Sequence, residues 1–220
     1  MGKEINLLEF YPVSNRPIDE RGDQVTETDR AIARKFDREY FDGDRLTGYG
    51  GYTYHSRFWT ETVKYIADFY KLGSNSKILD IGCAKGFMMH DLSLILPDAE
   101  IKGIDISFYA KENSIDSMRD NIDVGNANNL PYEDNYFDLV IAINTLHNLP
   151  LIDCKQAFRE INRVSSGDSF VMNDAWRDDQ GMQSMLKWNL TALTYMSCDD
   201  WLKLFDEVNY KGDYYWFFAE

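Results

Sequence analysis

Hydrophobic and polar positions change their spacing several times along the chain, and each change indicates a different element. Residues 152–164 and 199–208 place apolar side chains three and four positions apart, which predicts amphipathic helices. Short apolar runs predict buried strands. Because strands and helices alternate, we expect a parallel sheet with right-handed crossovers. The predicted strands lie at residues 78–81, 100–106, 122–124, 137–143, 169–173 and 214–218.

This order predicts an α/β fold with a doubly wound, mostly parallel sheet of six or seven strands. Six strands follow from the pattern, and a seventh would have to lie within residues 190–196.

The amino-terminal part of the chain has a different pattern. Residues 1–23 contain two prolines and one short apolar cluster, which indicates a poorly ordered arm or an extended segment laid over the domain. Residues 28–41 and 56–70 have helical spacing. Between these helices, residues 43–54 contain four glycines and three tyrosines, which predicts a flexible aromatic loop.

The most informative segment is Ile-Leu-Asp-Ile-Gly-Cys-Ala-Lys-Gly at residues 78–86. A buried strand ends there in a glycine-rich turn, and a helix follows from Phe87. Glycines permit positive φ and let a ligand approach the backbone closely, while the first amides of the helix point at the ligand. We therefore expect bare amides between Gly82 and Gly86 in a nucleotide-type cofactor pocket.

Asp105 closes the second predicted strand about 20 residues past the glycine turn, a spacing typical of a carboxylate that binds a ribose diol. The turn alone does not identify the cofactor, since NAD, FAD and S-adenosylmethionine all use such turns. The later blocks are Gly125-Asn126-Ala127 with Leu130-Pro131, and Phe137-Asp138-Leu139-Val140 leading to Asn144-Thr145-Leu146-His147.

Together the four blocks resemble the class I S-adenosylmethionine-dependent methyltransferases, of the type that acts on small molecules. The resemblance covers roughly residues 76–175 and implies a Rossmann-like domain over residues 56–220, preceded by an arm, helix and lid over residues 1–55. It implies S-adenosyl-L-methionine as the cofactor. The residues expected to bind it are Asp80, Gly82, Cys83, Ala84, Gly86, Asp105, Ile106, Asn126, Ala127, Asn144 and Arg57.

Two positions depart from the family pattern. Ala84 replaces the middle glycine of the turn and is less free to adopt positive φ. Asn126 replaces the usual acid after the third strand, and its side-chain amide can still accept a hydrogen bond from the adenine amino group.

Methyl transfer from a sulfonium requires alignment of the reacting atoms, exclusion of water and, for a hydroxyl acceptor, a base. His147 is the candidate general base, although a structural or positioning role is the alternative. Asp174 is expected to accept a proton or orient His147, or else to cap the next segment. Trp176 is a candidate wall of the site. Asn189 is a candidate partner for a polar acceptor, with a surface helix as the alternative.

The aromatic loop is expected to form a lid over cofactor and substrate, as the amino-terminal extension does in related enzymes. Tyr49, Tyr52 and Tyr54 are the candidate substrate-binding residues, and Arg57 matches the carboxylate of the methionine moiety. The alternative is that these aromatic residues only pack the extension onto the sheet edge.

Composition narrows the partners. A net charge of −14 disfavours nucleic acid and anionic membrane. The three cysteines are scattered, which indicates a reduced protein. The sequence shows no signal peptide and no apolar run long enough to span a membrane, so we expect a cytoplasmic protein, either monomer or homodimer. No spacing of metal ligands occurs, so we expect no metal. The expected acceptor is a sugar, a natural product or a peptide terminus, with oxygen preferred over nitrogen as the methylated atom.

Two other functions share the glycine turn. A nicotinamide-dependent dehydrogenase is disfavoured, because no Tyr-x-x-x-Lys pair and no separate substrate domain occur in the sequence. A non-catalytic cofactor-binding partner subunit is disfavoured by the intact first motif and by Asp105. A turnover assay decides between such a subunit and an active methyltransferase.

Overall fold

The computed structural model describes residues 2–12 and 21–219. In this part of the chain one sheet has six strands in the order β3-β2-β1-β4-β5-β6, and every pair of neighbouring strands is parallel. The predicted α/β class and parallel sheet are therefore confirmed. The strands are β1 (Lys77–Ile81), β2 (Glu100–Asp105), β3 (Ile122–Val124), β4 (Phe137–Ile143), β5 (Ser165–Asp174) and β6 (Asp213–Phe217).

Helices cover both faces of the sheet, and each face has its own apolar core. One core packs under α6 and α8, and the other packs under α3 and α4. Within the described residues, 3₁₀ turns lie at Arg119–Asn121 and Leu146–Asn148. The helices are α1 (Glu27–Ala33), α2 (Arg38–Phe41), α3 (Thr60–Phe69), α4 (Phe87–Ile95), α5 (Phe108–Glu112), α6 (Leu151–Val164), α7 (Asp179–Trp188) and α8 (Cys198–Glu207).

The candidate seventh strand within residues 190–196 is not a strand. This segment instead crosses the turn after β4, where the amides of Leu193 and Thr194 both donate to the His147 carbonyl at 3.0 Å. The outer edge of β6 pairs with the start of the chain. Ile5 N donates to Tyr214 O at 2.9 Å, and Tyr214 N donates to Lys3 O at 3.0 Å, both in parallel orientation.

The helix predicted over residues 28–41 is two helices. Phe36 adopts a left-handed conformation (φ +50°), which ends α1, and the Asp37 carboxylate then accepts from Arg38 N at 2.8 Å and starts α2. Since the apolar spacing continues through this break, the periodicity alone could not locate it.

Where the structure describes it, the amino-terminal arm is laid over the domain, pairing with β6 at residues 3–5 and turning at residues 7–10. Leu7 is fully buried in the core that lies against α3 and α4. Residues 13–20, which the same prediction covers, lie outside the described residues. The loop at residues 43–54 contains no helix or strand, as predicted.

Candidate functional site

A cavity of about 1040 Å³ opens at the carboxyl ends of the strands, where the strand order reverses between β1 and β4. This is where open α/β sheets bind their ligands. Pockets for drug-sized molecules have volumes of about 300–1,000 Å³, so this cavity has room for a cofactor and a second small molecule. The predicted cofactor residues that line it are Arg57, Asp80, Gly82, Cys83, Ala84, Asp105, Ile106, Asn126, Ala127 and Asn144.

The glycine turn joins β1 to α4 through three residues with positive φ. Gly82 has φ +77°, and a Cβ there would lie 2.1 Å from the Thr145 hydroxyl oxygen. Gly86 has φ +75°, caps α4 and does not line the cavity. Ala84 has φ +49°, so the residue that replaces the middle glycine adopts the conformation that glycine favours.

Four of the five amides between Gly82 and Gly86 are already hydrogen-bonded, which corrects the expectation of bare amides. Gly82 N and Cys83 N both donate to Ile104 O, at 2.7 and 3.3 Å. Ala84 N donates to the Asp105 carboxylate at 2.8 Å, and Gly86 N donates to Cys83 O at 2.9 Å. The turn therefore offers a ligand a close approach to backbone, while its hydrogen bonds serve to hold the turn against β2.

Asp80 is a carboxylate in the cavity wall that has no hydrogen bond from the described residues. It is 5% exposed. Burial, and then the neighbouring Asp105 charge, raise the pKa of Asp80 to about 8. A buried acid with no donor of its own is stabilised by a ligand that brings a positive charge or N–H groups.

Asp105 also lines the cavity, and each of its carboxylate oxygens already accepts one backbone amide. Ala84 N donates to Oδ2 and Ser107 N donates to Oδ1, both at 2.8 Å. Burial raises the pKa of Asp105, and these two hydrogen bonds oppose the shift. Because a carboxylate oxygen accepts more than one hydrogen bond, both oxygens keep room for ligand hydroxyls.

The aromatic loop lies over the glycine turn. Tyr49 and Tyr52 line the cavity, and the Tyr52 ring stacks on Phe87 at the start of α4 with centroids 5.0 Å apart. The buried Lys85 amine donates to Asp42 at 2.6 Å and to Tyr52 O at 2.9 Å. This ion pair was not predicted from the sequence, because nothing in the spacing connects positions 42 and 85.

Tyr54 does not line the cavity, which corrects its predicted role in substrate binding. Its hydroxyl donates to the Asp91 carboxylate of α4, and the Thr60 hydroxyl donates to the same carboxylate at 3.0 Å. Tyr54 thus fastens the end of the loop to α4.

His147 and Asp174 form a buried pair that lies behind the cavity wall, and neither residue lines the cavity. Asp174 N donates to His147 Nδ1 at 3.2 Å, and His147 Nε2 lies 3.5 Å from Asp174 Oδ2. Burial lowers the pKa of His147, although the Asp174 carboxylate opposes the shift, and burial raises the pKa of Asp174. This geometry supports the positioning alternative for His147 and does not support a general base in contact with substrate.

Asn189 and Trp176 also lie off the cavity. The Asn189 amide nitrogen donates to Asp174 Oδ2, and its amide oxygen accepts from Thr191 N at 2.9 Å. Asn189 is therefore a buried residue that connects the end of α7 to Asp174. Trp176 pairs by backbone with the start of α8, where Cys198 N donates to Trp176 O at 3.0 Å. Neither residue contacts the space expected to hold the acceptor.

Several cavity residues were missed by the sequence analysis. They come from β6, from the turn after β4, from the end of α7 and from the amino-terminal segment before α3, and most of them are aromatic. The predicted final strand gave a usable signal, because its end must lie at the same sheet edge as the other strand ends. The missed residues include Arg34, Tyr40, Phe41, His55, Asn148, Trp188, Tyr215 and Phe217.

Among residues 2–12 and 21–219, no group of three or more His, Cys, Asp or Glu side chains is arranged to hold a metal ion. None of the helices in this part of the chain has the length and apolar character that a membrane span requires.

Comparison with known proteins connects this geometry to a family. Residues 79–172 match the sequence model of the methyltransferase domain family. The match begins within β1 and ends within β5, so it contains the glycine turn and Asp105.

Two relatives are similar over part of the chain. A malonyl-acyl carrier protein O-methyltransferase of Legionella pneumophila is 27% identical over 59% of this chain and 46% of its own length. The tRNA (carboxymethyluridine(34)-5-O)-methyltransferase of Arabidopsis thaliana is 32% identical over 60% of this chain and 31% of its own length. The chain therefore spans less than half the length of either relative.

The fold has solved counterparts. The YcgJ protein of Bacillus subtilis superposes with a TM-score of 0.54 at 19% identity, covering 66% of each chain. At this identity the similarity concerns the fold alone.

Proposed function

We propose that the protein is a class I S-adenosylmethionine-dependent methyltransferase, as the match of residues 79–172 to the methyltransferase domain supports, and that it transfers the methyl group of S-adenosylmethionine to a small molecule. The observation that carries the proposal is the pair of buried carboxylates, Asp80 and Asp105, beside a glycine turn in the cavity wall. Two such acids suit a ligand with an ammonium group and a ribose diol.

The cavity residues fit the cofactor part by part. Asp80 receives the ammonium of the methionine moiety, which supplies the missing donor, and Asp105 accepts from the ribose hydroxyls. Arg57 lines the cavity and binds the methionine carboxylate. Asn126 accepts from the adenine amino group. When bound, S-adenosylmethionine supplies a methyl group activated by its sulfonium.

The remaining cavity holds the acceptor. Tyr49 and Tyr52 close it from the amino-terminal side and exclude water, which favours attack on a sulfonium. An aromatic enclosure in a chain of net charge −14 suits a small molecule, and nucleic acid is disfavoured because phosphates need a basic surface.

An oxygen acceptor is the finer part of the proposal. The relatives described above are both named for methylation of an oxygen. His147 lies behind the wall, so the acceptor oxygen has to attack without help from that imidazole. A carboxylate, which is ionised at neutral pH, meets this requirement.

Calorimetry tests the cofactor assignment. S-adenosylhomocysteine should bind the purified protein and NAD should not. Asp105→Asn should weaken binding at least about tenfold, since hydrogen bonds to a charged group contribute about 1.5–3 kcal/mol. Asp98→Asn, an exposed acid outside the cavity, is the matched control. Absence of binding, or binding of NAD instead, contradicts the proposal.

Release of S-adenosylhomocysteine against a panel of carboxylic acids, alcohols and amines tests turnover. Methylation of at least one acid or alcohol is the expected result. Tight cofactor binding without turnover on the whole panel would support the non-catalytic partner subunit instead.

A further inference from the structure

Arg34 is a cavity residue whose guanidinium has no partner in the described part of the chain. It caps the end of α1 and lines the cavity. Its Nε is buried and makes no hydrogen bond, and no carboxylate within residues 2–12 or 21–219 forms an ion pair with it. Arg30, one turn earlier on the same helix, pairs with Glu27 at 3.3 Å.

The absence of a counter-ion is notable in so acidic a protein. With a net charge of −14, carboxylates are plentiful, yet none within residues 2–12 or 21–219 forms an ion pair with Arg34. Glu27, at the opposite end of α1, pairs with Arg30, and Asp37, three residues after Arg34, accepts from Arg38 N. A partly buried guanidinium with no acceptor is costly, so a ligand anion in the cavity would stabilise it.

Arg34 lies on the part of the cavity wall that is next to the end of α7. Arg30 donates to Leu186 O at 3.1 Å and also to Asn189 O, so α1 rests on the end of α7. Arg34 follows Arg30 by one turn at the end of α1, so it lies close to the same end of α7. The predicted cofactor residues instead lie at the ends of β1 to β4, apart from Arg57.

Aromatic side chains form the rest of this half. Trp188 and Phe217 pack with ring centroids 5.4 Å apart and planes 34° apart, and both line the cavity with Tyr215. Such a wall buries an apolar, planar body, while one guanidinium supplies orientation.

We infer that the methyl acceptor is an anionic molecule, with an oxyanion group bound by Arg34 and an aromatic or apolar body enclosed by Trp188, Tyr215 and Phe217. The inference rests on the proposed function, because it assigns the half of the cavity that the cofactor leaves free. A carboxylate, a phosphate ester and a sulfonate share the chemistry that a guanidinium recognises.

Two fluorescent probes test the inference without knowledge of the natural acceptor. 1-Anilinonaphthalene-8-sulfonate has an aromatic body with an oxyanion, and N-phenyl-1-naphthylamine has the same body without it. Both are titrated into the full chain in the presence of saturating S-adenosylhomocysteine. The sulfonate should bind at least about tenfold more tightly than the neutral probe, and Arg34→Gln should remove that preference.

Matched variants separate this role from folding. Arg38→Gln removes an exposed arginine that pairs with Glu39 at 2.8 Å and does not line the cavity, so it should leave the preference unchanged. Arg34→Lys keeps the charge and should retain part of the preference. Arg57→Gln should weaken S-adenosylhomocysteine binding but leave the probe preference in place.

Each outcome decides the inference. Equal affinity for both probes, no binding of the sulfonate, or a preference that survives in a folded Arg34→Gln variant overturns it. Calorimetry of S-adenosylhomocysteine is a separate measurement. If S-adenosylhomocysteine does not bind, the proposed function is contradicted, whereas a preference for the sulfonate that depends on Arg34 would still show an anion site.

Discussion

At the scale of single residues, the protonation of Asp80 couples the cavity to pH. Its pKa in the folded protein is about 8, because burial and then Asp105 disfavour the charge. An unfolded chain ionises the same group near pH 4. Between about pH 4 and about pH 8 the folded state therefore binds more protons than the unfolded state, so this group makes the ligand-free protein less stable as the pH rises.

Asp80→Asn should remove that pH dependence. Relative to wild type, the Tm of the variant should be higher at pH 8 than at pH 5 by at least about 2 °C, roughly 1 kcal/mol for a chain of this size. S-adenosylhomocysteine should bind the wild type more tightly as the pH rises toward 8, since the ammonium favours ionised Asp80. Parallel Tm curves for wild type and variant between pH 5 and pH 8, with Asp98→Asn as reference, contradict this expectation.

Ala84 holds a conformation that costs about 1–2 kcal/mol for a residue with a Cβ. Its φ is +49°, so Ala84→Gly should stabilise the protein by up to about 1 kcal/mol after the entropy gained by the unfolded chain is subtracted. Gly82→Ala should act in the opposite direction, because the new Cβ would lie 2.1 Å from the Thr145 hydroxyl oxygen. Urea denaturation of both variants measures the two signs, and destabilisation by Ala84→Gly would show that the left-handed alanine is unstrained.

At the scale of elements, one ion pair fastens the aromatic loop to the glycine turn. Lys85 is buried, and its amine lies 2.6 Å from Asp42. Burial raises the pKa of Asp42, but hydrogen bonds from Lys85, Tyr52 N and Tyr109 outweigh burial and leave the pKa lowered. Removing the amine leaves the partly buried Asp42 carboxylate without its counter-charge, which destabilises the contact between the loop and the turn.

Lys85→Met should therefore loosen the loop before it unfolds the sheet. Limited proteolysis after Tyr49, Tyr52 and Tyr54 should become at least about tenfold faster, since it follows the population of the open form. S-adenosylhomocysteine should bind more weakly, because Tyr52 lines the cavity. Lys64→Met removes an exposed pair with Glu61 and is the control. Unchanged proteolysis in Lys85→Met would mean that aromatic packing alone holds the loop.

The elements that could be predicted are those whose signal is local. β4 has the bounds expected from its apolar run, because a buried parallel strand must be apolar on both faces. β3 also has its expected bounds, although only Ile122 of its three residues is buried. The break at Phe36 could not be predicted, since a left-handed residue leaves no trace in the apolar spacing. Pairing of residues 2–5 with β6 depends on a contact between the two ends of the chain, which no local pattern encodes.

Site residues could likewise be predicted where their signal is local, and could not be predicted where it is not. The glycine turn and Asp105 could be placed because their roles follow from backbone geometry at strand ends. The sequence could predict that His147 follows β4, but not which side of the turn its side chain occupies. In the structure the next residue, Asn148, lines the cavity, and His147 is buried behind the wall. Arg34 gave no sequence signal, because an arginine at a helix end is usually solvated.

At the scale of the whole molecule, the amino-terminal arm belongs to the core as well as to the site. Leu7 is fully buried, whereas Phe10, three residues later, is 51% exposed. Leu7→Ala should cost about 2–5 kcal/mol, the usual range for a buried leucine, and Phe10→Ala should cost much less. Chemical denaturation of both variants measures the difference.

The same experiment tests the division into residues 1–55 and 56–220. If the arm and the sheet unfold together, Leu7→Ala shifts a single transition that fluorescence and circular dichroism report alike. Two transitions, of which only the first moves, would mean that the extension folds as a separate unit. Because residues 3 and 5 hydrogen-bond to Tyr214 and Leu7 fills the core against α3 and α4, we expect one transition. Removing residues 1–54 should then destabilise the sheet itself, so point variants at Tyr49 and Tyr52 are the sharper test of a lid.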